Sequence, residues 1–388
     1  MLGLVTASAN HTLDALLELI CVRLQLTPTQ HTTATARYGA VSDWLSKDGS
    51  PVRDFSPHIY PQGSLSLGTT TKPLHQAEFD LDVVCRLDVR YPCHPGAVYK
   101  MIWDRMWDSG TYRPKMRPLP RCIRLDFSGD FHLDIVPAVP DLEAGGTCIL
   151  VPDLQAKLAF DHPENDNWKA SNPLGYAQWF EDCCVKLVLM ERYAMAQVDP
   201  VPAPEPIHAK PSLKRSVQLF KRWRDVEFRQ RPKLAPPSII LTTLSARLHR
   251  GEPLCTDALR TILDQTVRWI ETGQPICLTN PRNGRESICE KWENDPASYA
   301  AFTESVTAFR DRWERLLKKR GLHEIESELA DLFDETPVNW AVNEYAQRHV
   351  VQPRGNRTLR IQPRTGNLGP AAAIGALPLR RNTFFGDK

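Results

Sequence analysis

One stretch of the chain, residues 61–82, combines a glycine-bracketed turn with two aspartates on an alternating strand. The turn contains Gly63 and Ser64, and Asp80 follows sixteen residues after Ser64. In the run EFDLDVVC the period of two is that of a half-buried strand, so Asp80 and Asp82 point to the same face. Neighbouring carboxylates repel each other unless a cation lies between them, so this pair favours a divalent-metal site.

The glycine turn strengthens the metal interpretation. Gly63 and Gly68 permit backbone conformations in which successive N–H groups converge on an anion, and the Ser64 hydroxyl adds a donor. Alone, a glycine-serine pair is weak evidence, and an isolated pair of alternating aspartates is most often a polar strand face in solvent. Together, at this spacing, they predict a phosphate-binding turn followed by a metal-holding strand.

A third carboxylate is needed to hold two metal ions, and Asp134 is the candidate. The segment CIRLDFSGDFHLDIVPAV predicts two strands joined by a turn at residues 128–130. In the second strand His132, Asp134 and Val136 share one face. If this hairpin joins the same sheet, Asp134 lies beside the first two aspartates and completes an oxygen-rich site of the kind that Mg²⁺ prefers.

These motifs resemble those of the nucleotidyltransferases with a polymerase-beta-like core. More narrowly, the chain is similar to the bacterial CD-NTases, which are relatives of animal cyclic GMP-AMP synthase and of oligoadenylate synthetase. The resemblance extends over roughly residues 9 to 345. The residues that carry it are Gln62-Gly63-Ser64 with Gly68-Thr69, then Glu78-Phe79-Asp80-Leu81-Asp82, then His132-Leu133-Asp134-Ile135-Val136-Pro137.

The resemblance implies an α+β, bilobal fold: a mixed sheet with flanking helices, packed on an all-α C-terminal lobe and braced by N-terminal helices. We expect the N-terminal helices and catalytic core at 1–170, the helical lobe at 171–350 and a mobile tail at 351–388. Helical periodicity predicts N-terminal helices over 9–28 and from about Thr32 to Leu45, and another over 95–107. The pattern breaks down between Pro140 and Pro173, which predicts an irregular rim.

The second half of the chain reads as helical. Asn172-Pro173 is a helix start, and that helix is predicted to end near Met195. A cluster of prolines over 200–206 predicts an extended connector. Further helices are predicted over 211–229, 237–250, 255–271, 296–320 and 323–335. The stretch LTNPRNGRESICEKWENDP resembles a family loop near the base-binding cleft, but could equally be a turn between helices.

The most basic ordered segment covers residues 210–233, and we expect most of its charged side chains to form a solvated helix face. One part, VQLFKRWRD followed by PPSIILTTL, resembles paired family elements in which a lysine and a serine hold the donor triphosphate. The match places those roles on Lys221 and Ser238. A lysine ammonium is a compact counter-charge for phosphate, and a serine at a helix start lies beside free backbone N–H groups.

Composition bounds the remaining possibilities. The 388 residues carry a formal net charge of +2, and this near-neutral overall charge does not by itself indicate nucleic-acid binding. The ten cysteines include no CxxC pair and are typical of reduced thiols in a cytoplasmic protein. The zinc-binding insertion with which animal cyclic GMP-AMP synthase binds DNA is not evident in this sequence. No signal-like or membrane-spanning segment is apparent, and we expect a cytoplasmic monomer.

The residues predict metal-dependent nucleotidyl transfer. Asp80, Asp82 and Asp134 would hold two Mg²⁺ ions, which Mn²⁺ could replace, while Gln62, Gly63, Ser64, Lys221 and Ser238 would bind the donor triphosphate. The resemblance implies more: NTPs, ATP or GTP among them, are joined into a cyclic di- or trinucleotide for antiviral defence, and partner proteins could capture the C-terminal tail. A linear polymerase, a transferase acting on RNA or protein, a catalytically silent nucleotide-binding module and a nucleic-acid-binding scaffold remain alternatives. Bases, linkage, ring size and activating signal are not predicted.

Overall fold

The computed structural model describes residues 2–74, 79–89, 93–127, 131–154, 167–184, 201–203, 210–319 and 321–348, with three short strands beyond them. Within these ranges, side chains are described for residues 11–348 with the exception of Phe79. A mixed sheet with flanking helices packs against a large helical region. The predicted α+β fold is therefore confirmed. The proline-rich connector, apart from residues 201–203, and the predicted helix end near Met195 lie outside the described residues.

The main sheet has the strand order β1, β2, β5, β4, β3, with β6 paired to β5 and β7 paired to β6. Strands β2 and β5 run parallel and the other neighbours run antiparallel. The predicted hairpin is β4 and β5, although its turn lies outside the described residues. The strands are β1 (His58–Pro61), β2 (Phe79–Arg86), β3 (Met116–Pro118), β4 (Ile123–Phe127), β5 (Phe131–Pro140), β6 (Ile149–Asp153) and β7 (Asn167–Ser171).

The irregular rim predicted over 140–173 is wrong at β6 and β7. These two strands are five residues each and pair only with each other and with the end of β5. Strand β6 carries a proline at Pro152, and the turn before it contains Gly145 and Gly146, so local signals argued against a sheet. Pairing with the long strand β5 overrides those signals.

The predicted helices are present, with small shifts at their ends. Helix α2 begins earlier than predicted, because Thr27 and Gln30 form a capping box around Pro28 at the first helical position. Three helices, α3, α9 and α12, were not predicted. The helices are α1 (Leu2–Leu24), α2 (Pro28–Ser46), α3 (Gly63–Ser66), α4 (Pro95–Trp107), α5 (Pro173–Cys184), α6 (Ser212–Glu227), α7 (Ser238–Leu248), α8 (Cys255–Glu271), α9 (Glu290–Asn294), α10 (Pro296–Leu316), α11 (Leu322–Phe333) and α12 (Glu335–Ala346).

Two large apolar cores hold the molecule together. One lies between the sheet and helices α2 and α4, where Val41 and Ile102 pack with Leu81. The other is helical, and in it the rings of Trp223 and Phe309 stack with centroids 4.8 Å apart. Helix α1 packs into the helical core and α2 into the sheet core, so the N-terminal helices brace both regions. The domain division at residue 170 stays a prediction.

Helix α6 is buried almost all round, so the expected solvated basic face is wrong. Its cations have partners that are distant in sequence and were therefore not visible in the local pattern. Lys214 pairs with Glu181 at 2.8 Å, Arg215 pairs with Glu18, and Arg222 donates to the Lys72 carbonyl oxygen at 2.6 Å. The helix passes between α1, α7, α8 and α11, which leaves little of its surface for water. The cations of this helix other than Arg224 are therefore buried.

A hairpin of β8 (Thr279–Asn280) and β9 (Asn283–Ser287) fastens the helical region to the sheet beside β7. The Glu286 carboxylate accepts hydrogen bonds from the Ser171 hydroxyl at 3.0 Å, the Asn172 N–H at 3.0 Å and the Asn280 amide at 2.7 Å. Asn172 also caps α5, as predicted, by accepting from the Gly175 N–H at 2.9 Å. The stretch resembling a family loop is therefore an ordered clamp rather than a plain turn.

Part of the predicted mobile tail is described. Strands β10 (Leu359–Ile361), β11 (Leu368–Pro370) and β12 (Leu377–Pro378) form a separate small sheet in the order β11, β10, β12. The rest of residues 349–388 lies outside the described residues. Within the described part of the chain, no helix has the length and apolar character needed to cross a membrane.

Candidate active site

The three predicted carboxylates come together on one face of the sheet. In the parallel pair of β2 and β5, Asp82 lies directly opposite Asp134, and Asp80 lies opposite His132. Neighbouring strands are about 4.8 Å apart and directly opposed residues point to the same face. The condition set by the sequence is met, because the hairpin that carries Asp134 joins the strand that carries Asp80 and Asp82.

A cation on β4, Arg124, contacts two of these carboxylates, and no local sequence pattern predicted this contact. Arg124 is the antiparallel partner of Asp134. Its Nε and Nη2 donate to the two Asp134 oxygens, each at 2.7 Å, and Nη2 also reaches Asp80 Oδ1 at 3.3 Å. The Asp134 side chain is 10% exposed and that of Asp80 is 58% exposed. Asp134 is thus fixed beneath the site while Asp80 faces the open cleft.

Asp82 lies at the centre of the cluster. Burial, followed by the charges of Asp134 and Asp80, raises the pKa of Asp82 to about 7, against smaller opposing effects of Arg124 and Lys221. The cluster therefore holds more negative charge than its single guanidinium neutralises. A further cation bound among these three carboxylates would reduce their mutual repulsion.

The donor set fits a hard divalent cation, since three carboxylates offer only oxygen ligands. Within the described ranges no group of three or more His, Cys, Asp or Glu side chains already has the spacing of a metal site. The Arg124 guanidinium supplies a counter-charge in that region through its contacts with Asp80 and Asp134. The chemistry of the site, rather than a preformed cage, supports metal binding.

The glycine turn packs directly on Asp82. Gly63 has a φ of +65°, and a Cβ atom on it would come within 2.3 Å of Asp82 Oδ2. The Gln62 N–H donates to the Asp82 carbonyl oxygen at 2.9 Å, which fixes the turn to strand β2. Ser64 lies within 3.3 Å of the Thr70 hydroxyl. Only glycine suits position 63, both for its backbone conformation and for its close approach to the carboxylate.

Helices α6 and α7 supply the opposite wall. The Lys221 ammonium donates to the Thr69 carbonyl oxygen at 3.1 Å and to its hydroxyl at 3.2 Å. Burial, with a contribution from Arg224, lowers the pKa of Lys221 to about 7. Ser238 begins α7, and its hydroxyl accepts a hydrogen bond from Arg224 at 2.6 Å. Lys221 and Ser238, which are distant from the aspartates in sequence, therefore face the same cleft.

This cleft has a volume of about 490 Å³. Of the predicted site residues, six lie on its wall: Gly63, Ser64, Asp80, Asp82, Lys221 and Ser238. Asp134 lies behind Asp82 instead. Gln62 lines a neighbouring cleft of about 580 Å³ with Val136, so the structure does not place its side chain with the other predicted triphosphate ligands.

Further polar residues of the main cleft had no individual role assigned from the sequence. Arg224, Asp225 and Arg229 line it, and Arg224 forms an ion pair with Asp225 at 2.5 Å. The predicted role of Lys221 could have pointed to Arg224 and Asp225, because residues three and four apart lie on one helix face, whereas Arg229 lies beyond the end of α6. Arg124 had no comparable signal, because its role arises only from the register between β4 and β5.

The fold and the carboxylate cluster together define the class of nucleotidyltransferases with a polymerase-beta-like core. A sequence profile described as Second Messenger Oligonucleotide or Dinucleotide Synthetase domain matches residues 12–183. A c-di-GMP synthase of Roseivirga ehrenbergii is 33% identical, and the match covers 99% of this chain and 100% of that protein. The chain therefore belongs to the bacterial CD-NTase family and is a nucleotidyltransferase.

Solved structures agree with this membership at the level of the fold. The CD-NTase CdnG of Bradyrhizobium diazoefficiens, solved in complex with GTP, has a TM-score of 0.68 and 22% identity, with 87% of this chain and 100% of that chain covered. CdnC of E. coli MS115-1, solved with ATP, has a TM-score of 0.58 and 14% identity, with 82% and 96% covered. Enzymes of this family use divalent metal ions and nucleotide substrates.

Proposed function

We propose that this enzyme joins two molecules of GTP into cyclic di-GMP and releases two molecules of pyrophosphate. The base and the ring size rest on the c-di-GMP synthase that is 33% identical over nearly the whole chain. The observation that carries the chemistry is the register between β2 and β5, in which Asp82, packed against Gly63, lies opposite Asp134. The sequence left the ring size open between a di- and a trinucleotide.

Asp80, Asp82 and Asp134 are proposed to hold two Mg²⁺ ions, which Mn²⁺ could replace. Such ions, when bound, lower the pKa of an attacking hydroxyl and stabilise the charge of departing pyrophosphate. The backbone at Gly63 and the Ser64 hydroxyl would donate to the β- and γ-phosphates. Lys221 and Ser238 would contact the same phosphates from the helical wall.

Each transfer forms one bond and breaks one bond. A ribose hydroxyl oxygen of the acceptor bonds to the α-phosphorus of the donor, and the bond from that phosphorus to the bridging oxygen of the β-phosphate breaks. Pyrophosphate leaves with the electron pair. The hydroxyl proton is released to bulk water. A second transfer in the opposite sense closes the ring.

Further elements of the proposal come from family membership. The product would act as a second messenger in anti-phage defence, with the enzyme working as a cytoplasmic monomer. Partner proteins could capture the C-terminal tail, whose residues lie mostly outside the described part of the chain. We retain the division into a catalytic region at 1–170, a helical lobe at 171–350 and a tail at 351–388.

The test is product analysis with matched variants. Wild-type protein incubated with all four NTPs and Mg²⁺ should give a phosphatase-resistant product with the mass of cyclic di-GMP. Asp82→Asn should reduce product formation by at least about 10³-fold, because it removes one of the proposed metal-binding carboxylates, while the circular dichroism spectrum stays that of the folded protein. Asp126→Asn removes a partly exposed carboxylate from the neighbouring strand β4 and should stay active.

Other outcomes would identify the alternatives. A phosphatase-sensitive ladder would indicate a linear polymerase, and label on added RNA or protein would indicate a transferase. Nucleotide binding without any product would indicate a silent binding module. Activity of Asp82→Asn equal to that of Asp126→Asn would refute the assignment of the catalytic carboxylates.

A further inference from the structure

The Arg124 guanidinium occupies a position in the acidic cluster that a cation must fill. It makes a two-point contact with Asp134, with both donor distances 2.7 Å, and a longer contact of 3.3 Å with Asp80. Both contacts use the same terminal nitrogen, Nη2. Two of the three proposed metal ligands therefore share one protein cation.

The two contacts differ in strength and in access. The Asp134 pair has the planar two-point geometry of a strong charge-assisted contact, and its carboxylate is nearly buried. The Asp80 contact is a single, longer bond, and the Asp80 side chain is more than half exposed to the cleft. An incoming cation would therefore reach Asp80 first and would find its contact with Arg124 the easier one to break.

We propose that Arg124 is an internal counter-ion that holds the acidic cluster together in the metal-free enzyme and releases Asp80 when a divalent ion binds. This inference rests on the proposed function, because it takes the three carboxylates to be the metal ligands. The contact with Asp134 persists, because a carboxylate oxygen that accepts from Arg124 keeps a second lone pair for a further partner. Arg124 is thus a positioning residue that also weakens metal binding.

The physical reason is charge. Without Arg124 the metal-free cluster would hold three carboxylates in partly buried surroundings, and their mutual repulsion would oppose folding of the site. With Arg124 present, a divalent ion must approach a guanidinium and displace it from Asp80. The same side chain therefore stabilises the empty site and reduces its affinity for metal, and a nucleotide that brings its own negative charge would favour the exchange.

The chain offers a matched control. Arg117 on β3 is the direct antiparallel partner of Arg124, so both side chains lie on the same face of the sheet. Arg117 pairs with Asp126 at 3.7 Å, and its side chain is about half exposed. Replacing Arg117 removes the same charge from a neighbouring position without altering the contacts of Asp80 or Asp134.

The experiment measures Mn²⁺ affinity in the nucleotide-free protein by the loss of the free-ion signal in electron paramagnetic resonance. We expect Arg124→Gln to bind Mn²⁺ on the order of tenfold more tightly than wild type, because a positive charge next to the ion is gone. Arg117→Gln should match wild type. In EDTA the midpoint of thermal unfolding of Arg124→Gln should be lower than that of wild type. Added Mn²⁺ should raise the midpoint of Arg124→Gln by more than it raises the midpoint of wild type.

The outcomes separate this inference from the proposed function. If Arg124→Gln binds Mn²⁺ no more tightly than Arg117→Gln, Arg124 is only a structural support and the inference is refuted, while the catalytic assignment still stands on Asp82→Asn. A variant that misfolds would be replaced by Arg124→Lys, which keeps one charge but loses the two-point contact; here too the inference requires tighter Mn²⁺ binding. If Asp82→Asn keeps wild-type Mn²⁺ affinity and activity, the proposed function itself fails.

Discussion

Binding of a nucleoside triphosphate should be accompanied by uptake of a proton at Lys221. Burial and then Arg224 lower the pKa of Lys221 from 10.5 to about 7, while Asp225 and Asp82 act in the opposite direction. A triphosphate against the ammonium would favour the charged form and raise that pKa towards its ordinary value. At pH 8 the lysine should therefore be mostly neutral before binding and charged after it.

The magnitude follows from the pKa of about 7. At pH 8 about nine-tenths of the free protein would carry neutral Lys221, so binding should take up about 0.9 proton, against about 0.1 at pH 6. Protonating the lysine at pH 8 should also weaken binding about tenfold relative to a permanently charged cation, or about 1.4 kcal/mol. Lys221→Arg supplies that permanently charged cation.

The assay is titration calorimetry with a GTP analogue that cannot be transferred, in two buffers of different ionisation enthalpy. The difference between wild type and Lys221→Arg cancels the protons bound by the phosphates themselves. Equal proton uptake by the two proteins at pH 8 would refute the reasoning. If the arginine does not fit, Lys221→Met should bind weakly and take up no proton at this position.

The nucleotide-free protein provides an independent check of the same pKa. Because the folded-state pKa of Lys221 lies below that of the unfolded chain, the unfolded chain binds more protons between pH 7 and 10.5. The free energy of unfolding should therefore rise with pH across this window. The rise should be smaller in Lys221→Met, by up to about 1.4 kcal/mol per pH unit.

Two further substitutions test the glycine turn and the hairpin clamp. Gly63→Ala should reduce the rate of nucleotidyl transfer by at least about 10²-fold with the fold retained, because the added Cβ would meet Asp82 Oδ2. The control is Gly49→Ala, which is also at positive φ but has open space around it; it should lose about 1 to 2 kcal/mol of stability and no activity. Equal activities of the two variants would contradict this prediction. Glu286→Ala should lower the free energy of unfolding, measured by chemical denaturation, by about 3 kcal/mol, because the donors of Ser171, Asn172 and Asn280 lose their acceptor. A loss under about 1 kcal/mol would show that water replaces the carboxylate.

The grouping of the three aspartates could be predicted from the sequence because their positions follow from a local rule. Alternation along β2 and β5 places Asp80, Asp82 and Asp134 on polar faces, and one assumption, that the hairpin joins the sheet, brings those faces together. Arg124 obeys the same alternation, yet nothing local distinguishes it from Arg117 one strand away. Its importance depends on cross-strand register, which a single sequence does not specify.

Other errors came from contacts between distant parts of the chain. The basic residues of α6 read as a solvated face because Glu18, Glu181 and the Lys72 carbonyl lie far away in sequence. Helix α12 was missed because only Asp334 separates it from α11. Asp334 has a φ of +80°, an uncommon conformation for a residue other than glycine, so no turn signal marked the break.

Lys221 and Arg124 share one property that bears on how substrates enter. In the nucleotide-free enzyme Lys221 donates to Thr69, and Arg124 donates to Asp80 and Asp134, so each already has a protein acceptor. Thr69 in turn donates its N–H to the Ser64 carbonyl oxygen at 2.9 Å, which joins the glycine turn to α6. Because both walls are connected before ligands arrive, binding exchanges hydrogen-bond partners at positions that are already set. The cost of ordering the site is then met largely during folding, and side-chain rearrangement rather than closure of the two regions should accompany nucleotide binding.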